Sequence, residues 1–187
     1  MSPLNRIKEL KNIDIEGANP RKAAVTSLFY PDKDFNTRLL LILRKTYKGV
    51  HSNQVGFPGG KEEKNDVTLM QTALRETYEE VGVESDKIEL IKSLTEVYIP
   101  PSNFMVKPFL GIIRETPLFI PQETEVEKVI EVLLSDFMDE KSVFFEKVTT
   151  SYNVSIEAPI FKLNNHIIWG ATAMILSEVK ELCKKVL

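Results

Sequence analysis

Two hydrophobic periods run along this chain. Residues 23–30, AAVTSLFY, are rich in β-formers, and residues 37–44, TRLLLILR, are apolar enough for a strand buried on both faces. Turn chemistry at residues 32–36 joins them as a predicted hairpin. Residues 87–99 and 103–113 are two further expected strands around the turn YIPPSN. Residues 125–138 fit strand or helix; a strand at 128–133 and a short helix from Ser135 fit best. Residues 144–150 and 154–161 suggest a hairpin closed by SYN. Helical spacing appears twice. In 67–83 a core stripe is expected at Met70, Leu74, Thr77 and Val81, with Gly82 ending the helix in a left-handed conformation. In the last stretch the stripe is Ala173, Leu176, Val179, Leu182 and Val186. Residues 4–10 suggest a short helix capped by Ser2 with Pro3 in its first turn. Strands interspersed with helices place the chain in the α/β or α+β class. No repeat, low-complexity tract or linker divides it. One domain over 1–187 is therefore expected, with 1–21 as an N-terminal extension.

Composition narrows the function classes. With 187 residues, 43% hydrophobic and 27% charged, the chain has a globular mixture, neither disordered nor rod-like. A net charge of -3 disfavours a nucleic-acid partner, since neutralising phosphates calls for a basic surface. The longest apolar runs are far short of the ~20 residues that span a bilayer, so no membrane partner is expected. The N-terminus has no apolar leader-like run, and the single cysteine, Cys183, rules out an internal disulfide. A cytoplasmic location follows as the expectation, with Cys183 a packing thiol.

The chemistry concentrates in residues 57–83. Glu76, Glu79 and Glu80 lie on one helical face at spacings of three and four. Like charges there repel, and the late helical position disfavours anions further. A divalent cation reverses that balance, because carboxylate oxygens suit Mg²⁺ or Mn²⁺. Without one, the cluster is a solvated acidic face. Just upstream, FPGG at 57–60 allows a tight turn and a close backbone approach. Alone it is a plain turn; with the glutamates it forms a specific combination.

That combination resembles the box of the Nudix hydrolases. Gly60 opens it, and Arg75, Glu76, Glu79, Glu80, Gly82 and Val83 fill its second half. Three positions depart from the family pattern. Asp66 stands where a glutamate is expected, the spacer from Asp66 to Arg75 has eight residues instead of seven, and Thr77 replaces a bulky apolar residue. The segment before the box is similar to that of the coenzyme A diphosphatases, through Leu40, Leu41, Arg44 and Phe57 to Gly60. Ile42, Lys45, Gly49 and Asn53 differ from that pattern. The runs at 100–111 and 167–176 also look like that subfamily.

The resemblance implies an α/β/α sandwich with a mixed sheet between helices. It implies metal-dependent hydrolysis of a nucleoside diphosphate derivative, with coenzyme A giving 3',5'-ADP and 4'-phosphopantetheine. It assigns Glu76, Glu79 and Glu80 as ligands to Mg²⁺ or Mn²⁺, with the Gly59 carbonyl as a further one. Arg75 then orients the glutamates. A further acid often comes from a loop; Glu125 is the candidate, with Glu96 and Glu123 as rivals. Arg44 either meets substrate phosphate or ends a strand. Lys48 and His51 lie in the loop where an anionic substrate would sit, though a surface role suits each. Tyr98 is a candidate for the substrate pocket, while Phe104 and His166 suit packing. The expected partner is a small nucleotide, with a homodimer common in the family. The competing functions are a Nudix diphosphatase for ADP-ribose, a dinucleotide or a damaged nucleotide, and a Nudix domain that binds without hydrolysing.

Overall fold

The computed structural model describes residues 15–45, 53–149 and 155–187. The expected helix at 4–10 and the turn closing the 144–161 hairpin lie outside them. After a short helix α1 (Ile15–Ala18), strand β1 (Arg21–Pro31) crosses the middle of a mixed sheet. β1 pairs antiparallel with β2 (Thr37–Arg44) and parallel with β7 (Phe104–Ile112). The hairpin between β1 and β2 closes where the Asp32 carboxylate accepts the amides of Asp34 and Asn36, each at 2.9 Å, and the Arg38 guanidinium at 2.8 Å. The short strands β3 (Val55–Gly56) and β4 (Gly59–Lys61) pair with β2 and β1. β5 (Glu89–Ser93) and β6 (Val97–Ile99) both pair with β7, and β8 (Val126–Leu133) pairs with β2.

One strand was expected over 87–99, yet the ladder breaks between Ser93 and Val97. The cause is the buried Glu178, whose carboxylate takes the Thr95 amide at 3.1 and 3.2 Å and lies 3.0 Å from the Thr95 hydroxyl. A side-chain acceptor there replaces the neighbouring strand.

Both faces of the sheet are covered, as the resemblance implies. Helix α2 (Leu69–Val81) lies on one face, over a cluster that includes Leu28, Leu40, Ile42, Val81 and Val83. On the other lie α3 (Leu134–Met138) and α4 (Gly170–Cys183), with a small sheet of β9 (Val143–Thr149), β10 (Ser155–Leu163) and β11 (His166–Ile168). Their shared core includes Leu39, Leu41, Phe137, Phe161, Ala173 and Leu176. β2 feeds both clusters through alternate residues, which is why its sequence is a continuous apolar run.

Two stripes need correction. Met70 is 46% exposed, and the buried face of α2 runs through Ala73, Thr77 and Val81 together with Thr72, Glu76 and Glu80. The helix has thus turned Glu76 and Glu80 inward and its methionine outward. Thr77 fits this buried position because its hydroxyl lies 2.7 Å from the Ala73 carbonyl and 3.0 Å from the Thr26 hydroxyl on β1. A bulky apolar residue would leave Thr26 with one partner fewer. In α4, Ala173, Leu176 and Val179 are buried, but Val186 is 82% exposed because the helix ends at Cys183.

Candidate active site

The glycine turn is stitched to the central strand before it meets the helix. Gly59 and Gly60 pair with Val25 and Ala24 of β1, and the Thr26 amide donates to the Pro58 carbonyl at 2.9 Å. Gly59 has φ 148°, and a Cβ there would run into the Ala24 carbonyl and Val25. At Gly60 a Cβ would run into the Glu76 carboxylate. The two glycines therefore let the backbone lie directly against the acidic face of α2. Gly59→Ala is expected to destabilise the fold by on the order of 3 kcal/mol, since backbone and not a flexible tip obstructs the new methyl. Chemical denaturation read by circular dichroism checks this; an unchanged midpoint would contradict the geometry.

Helix α2 begins and ends cleanly. Thr68 and Gln71 form a reciprocal capping box, and Gly82 closes the other end at φ 73°. Between these caps Glu80 is 1% exposed. Its Oε2 accepts the Gly59 amide at 2.8 Å, while its Oε1 is buried and accepts no hydrogen bond among the described residues. Arg44 at the end of β2 stands 3.4 Å from that Oε1 and donates to the Gly59 carbonyl at 2.7 Å. Burial, above all, raises the Glu80 carboxyl to about 7 against the opposing pull of Arg44 and the Gly59 amide. Burial also raises the Glu76 carboxyl, with Arg75 opposing.

Arg75 is the hub of the outer half. Its guanidinium donates to Glu76 Oε1 and Glu79 Oε2, both at 2.9 Å, and to the Lys61 carbonyl at 3.0 Å. It forks onto Asp66 at 3.1 and 2.9 Å. Asp66 also receives the Glu63 amide and the Thr72 hydroxyl. Hydrogen bonding from Arg75 holds the Asp66 carboxyl well below the usual range and raises Arg75 in return. The shorter acid at position 66 thus anchors the arginine that spans Glu76 and Glu79.

The three glutamates occupy different environments. Glu76 and Glu80 lie beneath the helix beside the glycine turn, whereas the Glu79 side chain is 53% exposed at the rim. Among the described residues no three acidic side chains converge into a ready-made metal cage. The donors are nonetheless all oxygens, and the buried Glu80 Oε1 lacks a hydrogen bond, which fits a hard divalent cation.

Glu125 arrives by strand pairing. Arg44 opposes Val126 in the β2–β8 register, and the Lys45 amide donates to the Glu125 carbonyl at 2.8 Å. Its exposed carboxylate helps raise both Glu76 and Glu80. The preceding loop is fixed to the end of α2 by two bonds, Ile120 amide to Val81 carbonyl and Gln122 amide to Glu80 carbonyl, both 2.9 Å. Of the rivals, Glu96 pairs with Lys107 at 3.7 Å, and Glu123 is exposed. The Tyr98 hydroxyl is bonded to Asn103 at 3.0 Å, and Phe104 carries the Arg21 guanidinium 4.2 Å above its ring. Lys48 and His51 lie outside the described residues. Sequence reasoning left the role of Asp66 open; the one-residue-longer spacer was the available signal.

The turn, helix and arginine hub match more than a motif. A family model described as the NUDIX domain covers residues 20–149. The chain belongs to the Nudix family. This Nudix domain is 32% identical over 168 residues to Nudix hydrolase 15, mitochondrial, of Arabidopsis thaliana, covering 87% of the chain and 59% of that protein. It is 33% identical over 140 residues to mitochondrial coenzyme A diphosphatase NUDT8 of Mus musculus, covering 73% of the chain and 66% of that protein. The chain therefore spans somewhat under two thirds of the length of both. Its fold matches the crystal structure of a Nudix hydrolase from M. Smegmatis, RenU, with a TM-score of 0.61 at 16% identity, over 90% of this chain and 88% of that one.

Proposed function

We propose that this chain is a metal-dependent diphosphatase that cleaves coenzyme A or acyl-CoA to 3',5'-ADP and 4'-phosphopantetheine or its acyl derivative. The observation that carries the hydrolase reading is the Glu80 carboxylate, buried with one oxygen without a hydrogen bond beside a glycine turn and a second buried glutamate. A buried carboxylate oxygen held only by the Arg44 charge at 3.4 Å, with no hydrogen bond, is costly to keep in a fold. Glu76, Glu79, Glu80 and the Gly59 carbonyl are the oxygens that would hold Mg²⁺ or Mn²⁺. A bound ion there neutralises diphosphate charge and lowers the pKa of water.

The chain's own residues divide the remaining work. Arg75, anchored by Asp66, fixes the rotamers of Glu76 and Glu79. Arg44 reaches the same pocket and suits a substrate phosphate. Glu125, exposed and within the field of Glu76 and Glu80, suits acceptance of a proton from water.

Coenzyme A is supported by the segment from Leu40 to Gly60 and by the name of the mouse relative. The departures at Ile42, Lys45, Gly49 and Asn53 favour, as a second reading, another nucleoside diphosphate derivative such as ADP-ribose. The intact glutamates argue against binding without hydrolysis. Incubation of the full chain with Mg²⁺ or Mn²⁺ and either coenzyme A or ADP-ribose separates them, with products resolved by chromatography. We expect 3',5'-ADP from coenzyme A; turnover of ADP-ribose alone would replace the first reading by the second. No helix among the described residues is long and apolar enough to cross a membrane. Both relatives named above are called mitochondrial, and a lone cysteine suits any reducing compartment as well as the cytoplasm.

A further inference from the structure

Arg44 faces two of the oxygens assigned above to the ion. Its Nη2 donates to the Gly59 carbonyl at 2.7 Å and lies 3.4 Å from Glu80 Oε1. The Gly59 amide in turn donates to Glu80 Oε2 at 2.8 Å, so guanidinium, turn and carboxylate close a ring. Mg²⁺ would draw the same carbonyl and carboxylate oxygens to about 2.1 Å and bring two positive charges with it. Two cations cannot share so small a space beside a carboxylate that is only 1% exposed, where like charges are poorly screened. Either the guanidinium leaves or the ion stays out.

The surroundings of Arg44 suit a movement of its side chain alone. The Arg44 amide donates to the Gln54 carbonyl at 3.0 Å, and the residue opposes Val126 in the β2–β8 ladder. The next amide, of Lys45, donates to the Glu125 carbonyl at 2.8 Å. The strand end is therefore pinned on both sides. The guanidinium is held far less firmly. Among the described residues it donates to one carbonyl, and its contact with Glu80 is an ion pair without a hydrogen bond. Its side chain is 25% exposed, so the way out leads to solvent. Arg75 is the contrast: its guanidinium donates to Asp66, Glu76, Glu79 and the Lys61 carbonyl together.

We propose that Arg44 is an internal cation that trades places with the divalent ion. It counters the Glu80 charge until metal is taken up, then swings outward and becomes available to substrate phosphate. Arg44 is thus a positioning residue that orders the two events, metal first and phosphate second. The inference rests on the metal site proposed above.

The test follows the guanidinium itself. The chain has six arginines, few enough for their side-chain NMR signals to be told apart, and Arg44→Lys identifies the Arg44 signal by its loss. The full wild-type chain is titrated with Mg²⁺ alone, and uptake is followed by calorimetry. The Arg44 signal should move to the position of a solvent-facing guanidinium and saturate with the heat, while the Arg75 signal stays at a bonded position. An Arg44 signal unmoved at saturating Mg²⁺ would overturn the proposal. In a second arm, Arg44→Met should take up Mn²⁺ roughly tenfold more tightly than the wild type, because no internal cation then reduces the competent fraction. Equal or weaker uptake would overturn it as well. Mg²⁺ uptake without movement of Arg44 refutes the exchange and spares the metal site, whereas no uptake at all refutes both.

Discussion

Glu80→Gln is expected to lower turnover by roughly 10²–10⁴-fold while the fold survives. The glutamine oxygen can still accept the Gly59 amide, so the helix stays docked on the turn. What disappears is the buried anionic oxygen that suits a cation. The sign for stability follows from the raised carboxyl. The folded chain holds the proton up to about pH 7, whereas an ordinary glutamate releases it near 4.5. Between those values the folded state binds more protons than the unfolded one, so the metal-free protein loses stability as pH rises through that window. Glu80→Gln removes this penalty, and at pH 8 without metal it should melt at or above the wild-type temperature. Metal uptake by the wild type should release protons below pH 7 and tighten as pH rises to it, measurable by calorimetry in two buffers. Wild-type activity in Glu80→Gln would show that the metal site has been misplaced.

Arg75→Ala should be the second most damaging change, lowering stability by about 2–4 kcal/mol and turnover with it. The guanidinium is shared among Asp66, Glu76, Glu79 and the Lys61 carbonyl, and Asp66 is only 6% exposed. Removing it leaves a half-buried residue's carboxylate without its counter-charge, held only by the Glu63 amide and the Thr72 hydroxyl. Arg75→Lys should rescue little, because an ammonium cannot reproduce a fork spread over four acceptors. The pH dependence runs opposite to that of Glu80. Asp66 titrates well below its ordinary value of 3.8, so its contribution is present above about pH 4 and is lost as acid protonates it in the fold. In Arg75→Ala the stability curve should flatten between about pH 2 and 4. Urea unfolding at several pH values measures both effects, and rescue by lysine would show that charge alone matters.

Much of this was legible in the sequence, for reasons that differ by element. β1, β2 and the hairpin between them follow from apolar runs interrupted by turn residues. The limits of α2 follow from Gly82 and from the spacing of its apolar positions. The buried face of α2 did not, because a helical wheel ranks faces by hydrophobicity. Here the Gly59 amide and the Arg75 guanidinium draw carboxylates under the helix and leave Met70 outside. Glu125 could be guessed as an acid in a loop, but its placement depends on the pairing of β8 with β2 across more than eighty residues of chain. The break at Thr95 was invisible because its cause, Glu178, lies on the last helix. Asp66 was readable as a departure from the motif; that it seats the arginine required coordinates.

The stitching of residues 58–60 to β1 has a wider consequence. The bend that faces the acids is part of the central sheet, not a free-standing loop, so the geometry of the proposed metal site and global cooperativity share the same hydrogen bonds. Heat or urea should leave this catalyst intact until the whole molecule melts, and the curve of lost activity should overlay the curve of lost ellipticity. Evolution could retune what such a scaffold recognises at its periphery far more freely than it could shift the bend itself.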